Sequence, residues 1–146
     1  MATYIQSGNV VFASGAADAG GLAKLIETDI AARFGYAVWA LVWSDNEMRE
    51  VVAAAPQGYG VNLAGNRYDV AFVRPPLTPA AALDAVPIKP GVDEVAAGRN
   101  VLYLPRVLAL AGKSRLPKLV QIPIYRDLTI RNSTTTLKLM SLIDRG

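Results

Sequence analysis

A chain of 146 residues with 52% hydrophobic content is long enough to bury one real core, and its fifteen cations against twelve anions leave a net charge of +3. The absence of Cys and His excludes disulfides, thiol nucleophiles, triads of the Ser-His-Asp or Cys-His kind and the commonest metal-ligand sets. No apolar run approaches the ~18 residues of a membrane span, and the start lacks the basic and apolar segments of a secretory signal. The reading is a cytoplasmic protein with no membrane partner, no metal and no cofactor, in which any catalysis would rest on Asp, Glu, Lys, Tyr, Ser or Arg.

In chain order, Thr3-Tyr4-Ile5-Gln6-Ser7-Gly8-Asn9-Val10-Val11-Phe12 reads as strand, Gly-Asn turn, strand. A hairpin is marginal alone, and nothing lies upstream to shelter this one. A strand and a helix are therefore expected to be missing before it. Ser14 to Gly21 is a loop that ends with Asp18 or a nearby glycine as helix cap. Leu22, Leu25, Ile26, Ile30 and Phe34 follow at helical spacing, and Gly35 stands where a left-handed C-terminal residue is wanted. Tyr36 to Trp43 is nearly all apolar and reads as a strand covered on both faces. Ser44 and Glu47 have capping-box spacing and open a helix that carries Met48, Val51, Val52 and Ala55 inward and stops before Pro56.

Gln57 to Arg67 reads as a connecting loop and Tyr68 to Arg74 as a strand. Thr78 then caps a short helix with Pro79 at its first position. Asp93 to Ala97 and Asn100 to Leu104 form a second hairpin around Gly98-Arg99, and a helical stretch from Ser114 to Gln121 is cut by Pro123. Leu128 to Arg131 is a strand, and Asn132 caps a last helix that turns Leu139, Met140, Leu142 and Ile143 inward.

Written as elements, residues 68–146 are β-α-β-β-α-β plus a helix, and residues 1–56 are β-β-α-β plus a helix, joined by loop 57–67. Gly98-Arg99-Asn100-Val101-Leu102-Tyr103 echoes Gly8-Asn9-Val10-Val11-Phe12. The fold class is α+β: two ferredoxin-like (split βαβ) halves, the first lacking its leading β-α.

The segment from Thr3 to Phe12 resembles the hallmark of the bacterial domain of unknown function 1697. Further likeness lies in Val51-Val52-Ala53-Ala54-Ala55-Pro56, in Ser114-Arg115-Leu116, and in Thr129 with Arg131-Asn132, Thr135 and Lys138-Leu139. In that family the hallmark follows a strand and a glycine-containing loop, which are absent here. Ser133, Thr134 and Arg115 depart from the family's usual residues. The resemblance implies two ferredoxin-like halves and brings no established activity.

The candidate ligand-binding residues form three groups. Arg131, Asn132 and Thr135, with Lys138, stand where a strand enters a helix whose free N–H groups favour an anion. Simple capping of that helix by Asn132 explains the same composition. Lys113, Ser114 and Arg115 add charge and a hydroxyl, as a solvated helix start would. Gln6 and Ser7 belong to the longest family motif, whereas Gly8 and Asn9 are accounted for by the hairpin turn. No residue is singled out as catalytic. The leading function is a binding module for an anionic small ligand, a nucleotide or phosphorylated metabolite. The alternatives are an enzyme inactivated by loss of a glycine-rich N-terminal loop and a nucleic-acid-binding module. Self-association is expected through the strand edge at Tyr36 to Trp43.

Overall fold

The computed structural model describes residues 2–4 and 8–146, which form two compact units, residues 1–49 with 139–146 and residues 50–138. Ile5, Gln6 and Ser7, the middle of the family hallmark, lie outside the described residues.

The core of the second unit is a four-stranded antiparallel sheet. Its strands are β3 (Asn66–Val73), β4 (Ala96–Ala97), β5 (Val101–Val107) and β6 (Leu128–Asn132), in the order β4-β5-β3-β6. Strand side chains alternate between faces, and the sequence obeys that period. Ala71 and Val73, Leu102 and Leu104, and Leu128 and Ile130 share one face. That face is covered by Ala82 and Val86 from α3 (Pro79–Ala85) and its end, and by Leu116 and Leu119. The opposite face carries Tyr68 and Tyr103, which meet the Tyr59 ring edge-on with centroids 6.0 and 6.4 Å away. Tyr103 donates its hydroxyl proton to the Val51 carbonyl at 2.6 Å. The central strands β3 and β5 are closed to water, with Val70, Ala71, Val101 and Leu102 at 0% exposure.

Local chemistry fixes the ends of the helices. Thr78 Oγ1 accepts from the Ala81 N–H at 3.2 Å with Pro79 at the first helical position. The capping box closes in both directions at the start of α2 (Asp45–Ala53): the Ser44 N–H donates to Glu47 Oε2 at 2.8 Å and the Glu47 N–H to Ser44 Oγ at 3.3 Å. Met48 and Val51 are buried as the spacing requires. Asn132 Oδ1 accepts from the Thr135 N–H at 2.8 Å and caps α4 (Ser133–Ile143).

The first unit contains the hairpin β1 (Ala2–Tyr4) and β2 (Asn9–Val11), the helix α1 (Ala19–Phe34), and the chain leading to α2. Asp18 occupies the N-cap position of α1 without a side-chain cap bond, and Gly35 takes φ 73° at the C-terminal end.

Five expectations are corrected. Asn9 is not a turn residue but pairs with Tyr4, and Gly8 before it takes a positive φ of 77°. Tyr36 to Trp43 is not a strand. Among the described residues none pairs with it in a ladder, and Tyr36 is 58% and Trp39 72% exposed. The Ala40 N–H donates to the Glu27 carboxylate at 2.9 Å. The first arm of the second hairpin shrinks to Ala96–Ala97, because the Val92 and Asp93 N–H groups are spent on the Lys89 carbonyl in a turn and cannot join a ladder. The helix expected from Ser114 to Gln121 is instead the middle of three 3-10 segments, Leu108–Lys113, Leu116–Gln121 and Pro123–Asp127. Pro117 and Pro123 stand in the first turns of the second and third segments and lack the N–H that a continuous α-helix from Leu108 to Asp127 would use there, and the chain runs in short stretches of i→i+3 bonds. Finally, α4 buries Ser133, Thr135 and Thr136, whereas Leu139, Met140, Leu142 and Ile143 are only half-buried.

Candidate functional site

The junction of β6 and α4 unites the first group of candidates. In the ladder Arg131 lies opposite Val70, and Asn132 lies opposite Asp69. Arg131 is half-buried and donates from Nη1 to the Ile130 carbonyl at 2.9 Å. Burial lowers the pKa of its guanidinium, because the charged form loses hydration there. Two residues further on begins an eleven-residue helix whose first turn is Ser133-Thr134-Thr135-Thr136. Thr136 donates its hydroxyl proton to the Asn132 carbonyl at 3.0 Å. Asn132 thus satisfies one orphan N–H of the helix, and Thr135 is 4% exposed, which turns its hydroxyl away from solvent. Lys138 is half-buried one turn beyond.

The second group is arranged differently. Lys113 and Arg115 are exposed, but the Ser114 hydroxyl is spent on Asp93: Oγ donates to Asp93 Oδ1 and accepts from the Leu116 N–H at 3.1 Å. Asp93 Oδ2 takes the Arg115 N–H and the Lys89 N–H, each at 2.8 Å. Asp93 is 8% exposed. Burial by itself raises its pKa, yet the bonds from Ser114, Arg115 and Lys89, together with the Lys89 charge, outweigh that and hold it below the usual carboxylate range. Beside this carboxylate lies a cavity of about 40 Å³, lined among others by Asp93, Ser114, Pro117, Leu110, Val107 and Arg106.

Arg106 ties the two groups to one end of the sheet. It pairs through Nη2 with Asp69, the ladder partner of Asn132, and it lines the same cavity as Asp93. Its Nε is buried and lacks a hydrogen-bond partner among the described residues. Sequence reasoning passed over Asp93, Asp69 and Arg106. The signal was present for two of them. Asp69-x-Ala71-x-Val73 and Leu102-x-Leu104-x-Arg106 place opposite charges at the inward phase of two otherwise apolar strands, where a charge has to be paired. A further polar group, the Tyr59 hydroxyl, is buried without a hydrogen-bond partner among the described residues. Burial raises its pKa, with the nearby Thr136 hydroxyl opposing and Asp69 adding to the rise.

In the third group, Gly8 and Asn9 sit in the hairpin, while Gln6 and Ser7 lie outside the described residues. Among the described residues no cluster of three or more acidic side chains could hold a metal ion, and no helix is long and apolar enough to cross a membrane.

The sequence profile of the family described as "Protein of unknown function (DUF1697)" matches residues 1–103. The chain is similar in structure to a conserved bacterial protein, SP0830, from Streptococcus pneumoniae. The TM-score is 0.68 at 20% sequence identity, covering 88% of this chain and 73% of that one. At that identity the likeness speaks for the fold alone. No curated protein gives a significant match.

Proposed function

The chain belongs to the DUF1697 family, and from that premise we propose that it is a binding module for an anionic small ligand, a nucleotide or phosphorylated metabolite, received where β6 enters α4. The observation that carries this reading is the half-buried Arg131 guanidinium with its lowered pKa, two residues before the start of an eleven-residue helix. A cation short of hydration gains when an anion arrives, and guanidinium can meet a phosphate with two parallel bonds. The helix adds the positive end of its dipole. Lys138 completes the charge of this end, while the Ser114 hydroxyl and Arg115 N–H, already engaged by Asp93, contribute little.

A phosphate titration of thermal stability tests the proposal. Anything that binds only the folded state raises the melting temperature by mass action. Phosphate should raise it in the wild type and in Lys24→Ala, a change on exposed α1, and should fail to do so in Arg131→Ala. Equal responses in all three would leave Asn132 as a helix cap and nothing more. A nucleic-acid partner would instead give binding that falls steeply with salt.

The architecture we propose for the second unit is ferredoxin-like. Its antiparallel order β4-β5-β3-β6 is the one a β-α-β-β-α-β chain adopts when the second crossover, here three 3-10 segments, returns to the free side of the first strand. The partner we propose for residues 36–43 is a second copy of the chain, because the segment exposes the large apolar side chains of Tyr36 and Trp39. Exposed apolar side chains close together in sequence favour burial against a second surface.

A further inference from the structure

Asp93 is surrounded by donors in the way a bound carboxylate is. Three groups from two separate stretches converge on its two oxygens: the Lys89 N–H from its own loop, and the Ser114 hydroxyl and Arg115 N–H from the turn between two 3-10 segments. The turn is braced independently, since Ser114 Oγ accepts from the Leu116 N–H at 3.1 Å and the Lys118 N–H donates to the Arg115 carbonyl at 2.9 Å. The loop is braced as well, with the Val92 and Asp93 N–H groups on the Lys89 carbonyl at 3.0 and 2.9 Å. Donors held in place by their own turns do not depend on Asp93 for their positions. Asp93 and Ser114 both line the cavity of about 40 Å³, where one water needs roughly 10–15 Å³. Arg106 also lines it, and its buried Nε has no hydrogen-bond partner among the described residues.

We infer that the Lys89, Ser114 and Arg115 donors form a carboxylate-binding site that Asp93 occupies in cis as a latch between the two stretches, and that a free short-chain monocarboxylate can take its place when the Asp93 side chain is removed. Occupancy is mutually exclusive, because two carboxylates cannot share one set of donors. The charged groups around the site are Lys89 on the same loop, Arg106 in the cavity lining, Lys113 and Arg115 flanking Ser114, and the exposed Glu94 next to Asp93, so cations outnumber the one neighbouring anion. Arg106 is largely neutralised by Asp69. The inference stands apart from the site at Arg131, which Asp93 substitutions leave intact.

Sodium acetate, compared with sodium chloride at equal ionic strength, is the probe. In Asp93→Ala acetate should raise the melting temperature by a few degrees, saturably, above the chloride control. Wild type, whose site is filled, should respond to the two salts alike. Asp93→Asn keeps the volume but not the charge, and should lose stability without an acetate-specific response. An acetate response in Asp93→Ala no larger than in wild type would overturn the inference, whatever phosphate does at Arg131. Should Asp93→Ala fail to fold, the pH dependence of Asp93→Asn decides. A carboxylate with a lowered folded-state pKa contributes stability that is complete above its unfolded value and lost as pH falls through the folded one. The stability gap between wild type and Asp93→Asn should therefore be widest near neutrality and close on acidification. A gap that stays constant with pH would contradict the latch.

Discussion

Two apolar stretches of similar composition meet opposite fates. Val101-Leu102-Tyr103-Leu104, on β5, is 0–4% exposed, whereas Tyr36-Ala37-Val38-Trp39 leaves Tyr36 at 58% and Trp39 at 72%. The first lies beside β3 in register along its length and beneath Leu116 and Leu119; among the described residues the second has no ladder partner. Hydrophobic character supplies the drive to be buried, but a strand exists only where a neighbour completes its backbone bonds. The same contrast holds for helices. α1 has the apolar spacing of a buried helix, yet none of its residues is buried, and Leu25 and Phe34 are 58% and 64% exposed.

The largest test of this contrast compares two leucines. Leu102→Ala, at a fully buried position, should cost about 2–5 kcal/mol, measured by urea unfolding, while Leu25→Ala should stay within about 0.5 kcal/mol. Comparable losses at both sites would show that α1 packs as tightly as β5.

That asymmetry also explains what could be read from the chain. Where a feature depends on neighbours within a few residues, the residues announced it: Ser44 with Glu47, Thr78 with Pro79, Asn132 with Thr135, and the left-handed Gly35. Where it depends on a distant partner, they did not. The strand period at Leu102 and Leu104 continues to an inward charge at Arg106 that calls for a partner, but that Asp69 across the sheet is the partner is not written in the neighbouring residues. Asp93 looked like the start of a strand because its donors come from Lys89 and from a turn 21 or 22 residues away. The 3-10 run from Leu108 to Asp127 was half legible: Pro117 and Pro123 forbid a continuous α-helix, but proline placement alone does not say what replaces it. Of the candidate site, Arg131 and Asn132 are marked by their local pattern, and the Asp69–Arg106 pair at the neighbouring ladder position is not.

A middle-sized effect is expected at the capping box. Ser44→Ala removes the acceptor for the Glu47 N–H and frees the Glu47 carboxylate of the Ser44 hydroxyl, and should cost roughly 0.5–2 kcal/mol without altering the phosphate response. A changed phosphate response at unchanged stability would give Ser44 a role beyond α2.

The smallest effect on folding should come from the exposed stretch. Trp39→Ser should change unfolding free energy by no more than about 0.5 kcal/mol, yet reduce self-association in sedimentation velocity across a concentration series. Wild type that sediments as a monomer at every concentration would remove the second copy from residues 36–43.

The central claim, an anion site where β6 enters α4, is tested most directly by following backbone amides in an NMR titration with phosphate. The account predicts saturable shifts concentrated at Ser133, Thr134 and Thr135 in the wild type, lost in Arg131→Ala while the rest of the spectrum is preserved. Shifts scattered over the surface, or unchanged by Arg131→Ala, would contradict it.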